Sequence, residues 1–172
     1  MVPILIPQEI IEEIIRYLPF EKCIILSSYA TTRSYNPIVH TWDWAASNGH
    51  IEVIKWLHKI HAKGCTNNTM DLAAENGHLD ILKFLHANRS EGCTRNAMEL
   101  AAKNGHLDVI KFLYKNRSEG CTTRAMYCAF TNGHLEIIKW LHQNHIEGRT
   151  RNAIDWAYQN GYTEVVKFLQ KD

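Results

Sequence analysis

The sequence predicts an all-α solenoid, five helix pairs stacked side by side behind a short N-terminal helical cap. Three observations lead there. A ten-residue phrase occurs five times, as NGHIEVIKWL from Asn48, NGHLDILKFL from Asn76, NGHLDVIKFL from Asn104, NGHLEIIKWL from Asn132 and NGYTEVVKFL from Asn160, each copy starting 28 residues after the last. A fixed period of this size marks stacked supersecondary units. Apolar residues fall at helical spacing on both sides of every Asn-Gly. The second helix of each pair is apolar nearly all round, so a single pair cannot bury its faces and needs neighbours.

The third unit shows the pattern. Ahead of the turn, AMELAAK (Ala97 to Lys103) places Met98, Ala101 and Ala102 at helical spacing among good helix formers, and is called helix A. Gly105 closes it, because glycine enters the left-handed conformation of a helix C-terminus without steric cost. From His106 to about Asn116 a helix B follows, in which Leu107, Val109, Ile110, Phe112 and Leu113 leave a polar stripe of only Asp108, Lys111 and Lys115.

Residues 1–36 stand outside the period. Ile6 to Leu18 reads as a helix opened by Pro7, with Ile10, Ile11, Ile14, Ile15 and Leu18 on one broad apolar face. Pro19 breaks it, Phe20 to Leu26 continue as a second short helix, and the stretch from Tyr29 ends before Pro37. The segment resembles the start of an F-box: Ile6-Pro7, Glu9, the pairs Ile10-Ile11 and Ile14-Ile15, then Tyr17-Leu18, Phe20, Ile24 and Leu26 match that pattern, while its Trp-Arg end is missing. The resemblance implies docking on the Skp-type adaptor of a cullin ubiquitin ligase, through Pro7, Ile10, Ile11, Ile14, Leu18 and Phe20. The other reading is a plain cap, which a solenoid requires at an exposed end.

The five units take residues 37–64, 65–92, 93–120, 121–148 and 149–172. In the first, Trp42 and Trp44 stand where the second has Met70 and Leu72, and are expected in the core. The fourth departs in helix A, with Tyr127, Cys128 and Phe130 in place of Glu99, Leu100 and Ala102. The fifth carries Tyr162 and Thr163 instead of His and Leu, as an atypical terminal unit does.

NAMELAAKNGHLDVIKFLYKN, Asn96 to Asn116, resembles the ankyrin repeat in its Ala-Ala pair, its Gly-His turn and its helix B spacing, and the likeness recurs in register over residues 38–172. Each unit is short in the segment after helix B, where RSEGCTT stands in place of the family's β-hairpin finger. Asn96-Ala97-Met98-Glu99 also replaces the family's Thr-Pro-Leu-His. Such short units with Gly-Cys linkers resemble the ankyrin arrays of large DNA viruses and amoebae. The resemblance implies a protein-binding scaffold without catalysis or cofactor.

The chain has 172 residues, 45% hydrophobic and 22% charged, with a net charge of +1. That balance argues against a general nucleic-acid binder, which would be strongly basic. MVPILIPQEI lacks a basic leader region and its apolar run stops at Gln8, so a signal peptide or membrane span is not expected, and a cytosolic or nuclear protein is. Cys65, Cys93 and Cys121 occupy one place in successive units. Packed helices lie about 10 Å apart, beyond the roughly 7 Å Cα limit of a disulfide, so these thiols should stay reduced and buried.

The same spacing disposes of the column His50, His78, His106 and His134 as a shared metal site, leaving a cap and an inter-unit hydrogen bond. His58, His86 and His142 form a second column with Tyr114 in its third place, and a position that is replaceable within the chain is not expected to be a ligand. Lys55, Lys83, Lys111, Lys139 and Lys167 each follow an acid by three residues, so the stripe is neutralised by its own helix. Arg89, Arg95, Arg117, Arg124, Arg149 and Arg151 gather at the linkers without acids at fixed spacing, and leave RNA or an acidic partner as a distant alternative. No P-loop, HExxH or Ser/His/Asp arrangement is present, and a linear array spreads side chains that catalysis must converge.

Target recognition is expected where the units differ. Ser47, Glu75, Lys103, Thr131 and Gln159 follow the Ala pair, a position that the ankyrin resemblance places on the concave side. The helix A opening contributes Asp71, Glu99, Tyr127 and Asp155, and the linker ends contribute Arg95, Thr123 and Arg151. Their mixed charge suits a protein surface more than a phosphate backbone. Tyr127 and Phe130 are the expected aromatic anchor.

Overall fold

Asn-Gly shapes every unit in the computed structural model, which describes residues 37–59, 61–118, 123–144 and 151–171. Gly49, Gly77, Gly105, Gly133 and Gly161 all take φ between 72° and 87°, reversing the chain between two helices. The described residues form ten helices, paired as α1 (Pro37–Ser47) with α2 (Ile51–Lys59), α3 (Asn67–Glu75) with α4 (Leu79–Asn88), α5 (Arg95–Asn104) with α6 (Leu107–Asn116), α7 (Thr123–Thr131) with α8 (Leu135–Gln143), and α9 (Arg151–Gln159) with α10 (Thr163–Lys171). No strand occurs among them. The N-terminal helices expected between Ile6 and Leu26, with the docking residues Pro7, Ile10, Ile11, Ile14, Leu18 and Phe20, lie outside the described residues.

Helix starts follow the local chemistry. Thr94 caps α5 by accepting the Asn96 amide at 3.1 Å, and the Thr66 amide reaches Thr69 Oγ1 at 3.3 Å ahead of α3. Such caps stabilise a helix by about 1 kcal/mol. The turn histidines occupy the cap position of helix B but make no side-chain cap bond, because their rings are directed at the preceding unit.

Odd-numbered helices form one layer and even-numbered helices the other. Ala45, Ala46, Ala73, Ala74, Ala101 and Ala102 are fully buried between neighbouring helices of the first layer. Their small side chains let those helices approach closely, whereas Ile54, Leu82, Leu85, Ile110 and Leu113 hold the second layer further apart. One continuous core results, and Trp42, Met70, Met98, Met126 and Phe130 belong to it. Each fully buried aliphatic contributes about 1.5–3 kcal/mol.

Trp42 is core, as expected, whereas Trp44 is only half-buried and lies against His50 with ring centroids 4.7 Å apart. Cys65 and Cys93 are buried free thiols. Burial, reinforced by the Glu91 charge, raises the Cys65 pKa above the ordinary thiol value.

Candidate functional site

Three sets of contacts tie each unit to the next, and they decide which side chains remain to meet a partner. The first is a seat on glycine. The His78 ring sits over Gly49, His106 over Gly77, His134 over Gly105 and Tyr162 over Gly133, so tightly that a methyl on any of these glycines would come within 2.6–2.8 Å of the ring. Nε2 of His78 and of His134 donates to the carbonyls of Ser47 and Lys103, at 3.2 and 2.9 Å. Tyr162, read from sequence as a mark of a terminal unit, fills the same seat as the histidines.

The second set is an edge-on aromatic ladder along helix B. His58 meets Phe84, His86 meets Phe112, Tyr114 meets Trp140 and His142 meets Phe168, with centroids 5.2–5.8 Å apart and planes near perpendicular. This explains why Tyr can replace His in that column: each position supplies an aromatic ring to the next unit.

The third set is an acid clasp, and it corrects part of the sequence reading. Asp71 was expected to face a target, yet it is 5% exposed and accepts both the Thr94 amide (2.8 Å) and Thr94 Oγ1 (2.5 Å). Asp43 likewise holds Asn68 and Thr69, each at 2.7 Å. Glu99, also expected to face a target, pairs with Arg124 at 3.2 Å. These acids lie beside the start of the next helix A, where hydroxyl and amide donors need acceptors. Asp155, at the same place in the fifth unit, is exposed.

The expected aromatic anchor divides. Tyr127 is 49% exposed, but Phe130 is 1% exposed because it occupies the buried column of Ala46, Ala74 and Ala102. Phe130 is a core residue.

The other expected contacts lie along the first layer. Arg95, Lys103, Thr123 and Gln159 are exposed, and Ser47, Glu75 and Thr131 are half-buried at helix ends. Asn104 donates to the Glu75 carbonyl at 2.7 Å and Thr131 to the Cys128 carbonyl at 3.0 Å, so much of this row's polarity serves the helix ends. Arg151 opens α9.

Sequence reasoning missed a row between these columns. Trp44, Leu72, Leu100, Cys128 and Trp156 recur at the 28-residue period on consecutive A helices, and every one is half-buried. Aligning the units column by column would have found it, since this helix A column stays apolar while changing size. Burial, followed by the Glu99 charge, raises the Cys128 pKa.

Three of the five column lysines pair with an acid of their own helix, while Lys83 and Lys111 are exposed. Lys55, Lys139 and Lys167 bond to Glu52, Glu136 and Glu164 at 2.7–2.8 Å. Two linker arginines also find partners that spacing did not reveal: Arg124 the Glu99 carboxylate, and Arg89 the Glu91 carboxylate, with its guanidinium 5.3 Å from the Trp42 ring. Among the described residues no group of three His, Cys, Asp or Glu is placed to hold a metal ion. None of their helices is long and apolar enough to cross a membrane.

Stacked helix pairs, a close-packed alanine layer and a row of half-buried apolar side chains along it define a helical-repeat scaffold that presents a face. The family model described as ankyrin repeats (3 copies) matches residues 42–123 and again 99–172. The chain belongs to the ankyrin-repeat family. Ankyrin repeats are protein–protein interaction modules, and this is the class of function that the family carries. No curated protein matches the chain.

Proposed function

We propose that this chain is an adaptor that grips an extended segment of a protein target along its helix A face and presents it to a ubiquitin ligase through the F-box-like segment. The observation that carries the target-binding half is the half-buried row Trp44, Leu72, Leu100, Cys128 and Trp156. Half-buried apolar side chains held by a rigid layer lose little entropy on binding and release water when covered. Neighbouring members of the row are about 10 Å apart, the spacing of packed helices. An extended polyproline-like peptide rises about 3.1 Å per residue with three residues per turn, so an apolar side chain at every third position keeps step with the row. Tyr127, Arg95 and Lys103 flank the row and select polar neighbours in the target.

Ligase docking rests on the sequence match of Ile6 to Leu26. Two pairs of substitutions separate the halves. Ile10→Asp with Leu18→Asp should abolish capture of a Skp-type adaptor and leave target binding intact; a wild-type chain that captures no such adaptor would remove the ligase role. Leu72→Asp with Leu100→Asp should abolish binding of peptides selected by the wild-type chain from a displayed random library. Selected peptides without a three-residue apolar period, or peptides that still bind this variant, would refute the helix A reading.

A further inference from the structure

The helix A row is nearly periodic, and a periodic row leaves a bound segment free to slip. Leu72 and Leu100 hold the same place in consecutive units and are both half-buried, so shifting an apolar three-residue period by one unit exchanges like contacts for like. One turn further along the same helices runs a column that is not periodic in charge: Ser47, Glu75, Lys103, Thr131 and Gln159. Only its second and third members are charged, with opposite sign, and they stand beside Leu72 and Leu100.

The fold leaves both charges available. Among the described residues no ion pair includes the Glu75 carboxylate or the Lys103 ammonium. The inter-unit bonds at these positions use their backbone carbonyls, which accept from Asn104 and His134. Lys103 is exposed and Glu75 half-buried. Glu99, one turn before Lys103, is engaged with Arg124 at 3.2 Å. Burial and then the Glu99 charge raise the Cys128 pKa, while the charges of Arg124 and Lys103 oppose them, so Lys103 also acts on the next member of the row.

We infer that Glu75 and Lys103 fix the register and direction of the bound segment, and that the target carries a basic side chain opposite Glu75 and an acidic one, three residues away, opposite Lys103. This deepens the helix A reading and rests on it. Neighbouring packed helices are about 10 Å apart, and three residues of polyproline-like chain span about 9 Å. In the correct register both charges meet their opposites. A slip toward the first unit sets the target's acid against Glu75, a slip toward the fourth sets its base against Lys103, and reversal of the segment does both. Attraction at one register and repulsion at the others are how charge confers specificity on an otherwise repetitive surface.

The test examines peptides selected on the wild-type chain from the displayed library. They should carry a base and an acid three residues apart, in one fixed order, beside their apolar period. Exchanging base and acid in a synthetic peptide of that pattern should weaken binding about tenfold or more at low salt, and less at about 0.5 M salt, where exposed charges are screened. The chain carrying Glu75→Lys with Lys103→Glu, first shown by circular dichroism to be as helical as wild type, should prefer the exchanged peptide. Peptides that keep the apolar period without this charge pair, or a preference that the exchanged chain does not reverse, overturn the inference and leave the helix A reading standing. Peptides without the period overturn both. Should the exchanged chain not fold, the two peptide orders on the wild-type chain decide alone, and equal affinities overturn the inference.

Discussion

Gly105→Ala compared with Gly161→Ala isolates the energy of one inter-unit seat. Both glycines lie in the left-handed region, at φ of 87° and 74°, so both substitutions carry the same backbone cost of about 1–2 kcal/mol. At Gly161 that is the whole cost, because the new methyl points into open space. At Gly105 the methyl would approach His134 Cε1 to 2.8 Å, and the ring must leave. Its departure breaks the 2.9 Å bond to the Lys103 carbonyl, about 1 kcal/mol, and uncovers ring surface worth about another. Urea denaturation followed by circular dichroism should therefore show Gly105→Ala costing about 3 kcal/mol and Gly161→Ala about 1–2. In a His134→Ala background the ring is already gone, and Gly105→Ala should fall to the cost of Gly161→Ala. Equal costs in the wild-type background, or additive effects of Gly105→Ala and His134→Ala, would refute the seat.

Three further outcomes follow from the same contacts. Asp71→Ala removes the acceptor for two Thr94 donors and should cost about 2–3 kcal/mol in the same titration, against about 0.5 or less for the exposed Asp155→Ala. Phe130→Ala should lose about 3–5 kcal/mol, while Tyr127→Ala leaves stability within about 0.5 and weakens selected peptides; the reverse pattern would return Phe130 to the surface. Burial first, and a neighbouring carboxylate second, raise the pKa of both Cys65 and Cys128, so each should alkylate more slowly than a free thiol at pH 8 and faster as pH rises. In a peptide-mapped iodoacetamide pulse the half-exposed Cys128 should react before Cys65, and a bound peptide should protect it.

Much of the fold was legible because its determinants sit close together in the chain. Asn104-Gly105 ends a helix by local backbone preference, and Glu136 and Lys139 pair across one turn of their own helix. Burial of Ile110 and Leu113 followed from a helix B too apolar to be solvated. The site was harder to read. The acids chosen as target contacts, Asp71 and Glu99, are acidic for the next unit's benefit, and nothing in a single unit distinguishes a carboxylate turned to a neighbour from one turned to solvent. Phe130 looked like an anchor because it broke an alanine column, when the column itself was buried.

By itself the sequence determined the period, the turns, the two helices of each unit and the need to stack, since all of these rest on interactions within a few residues or on apolar periodicity. Only the tertiary structure decided what the repeated polar and aromatic columns do. The contacts between Thr94 and Asp71, His78 and Ser47, or Asn104 and Glu75 join residues 23–31 positions apart. Whether such residues meet depends on the lateral offset and rotation of one helix pair against the next. Those are set by how closely alanine on one layer and leucine or isoleucine on the other allow the units to approach, a property of packed pairs that no single unit contains.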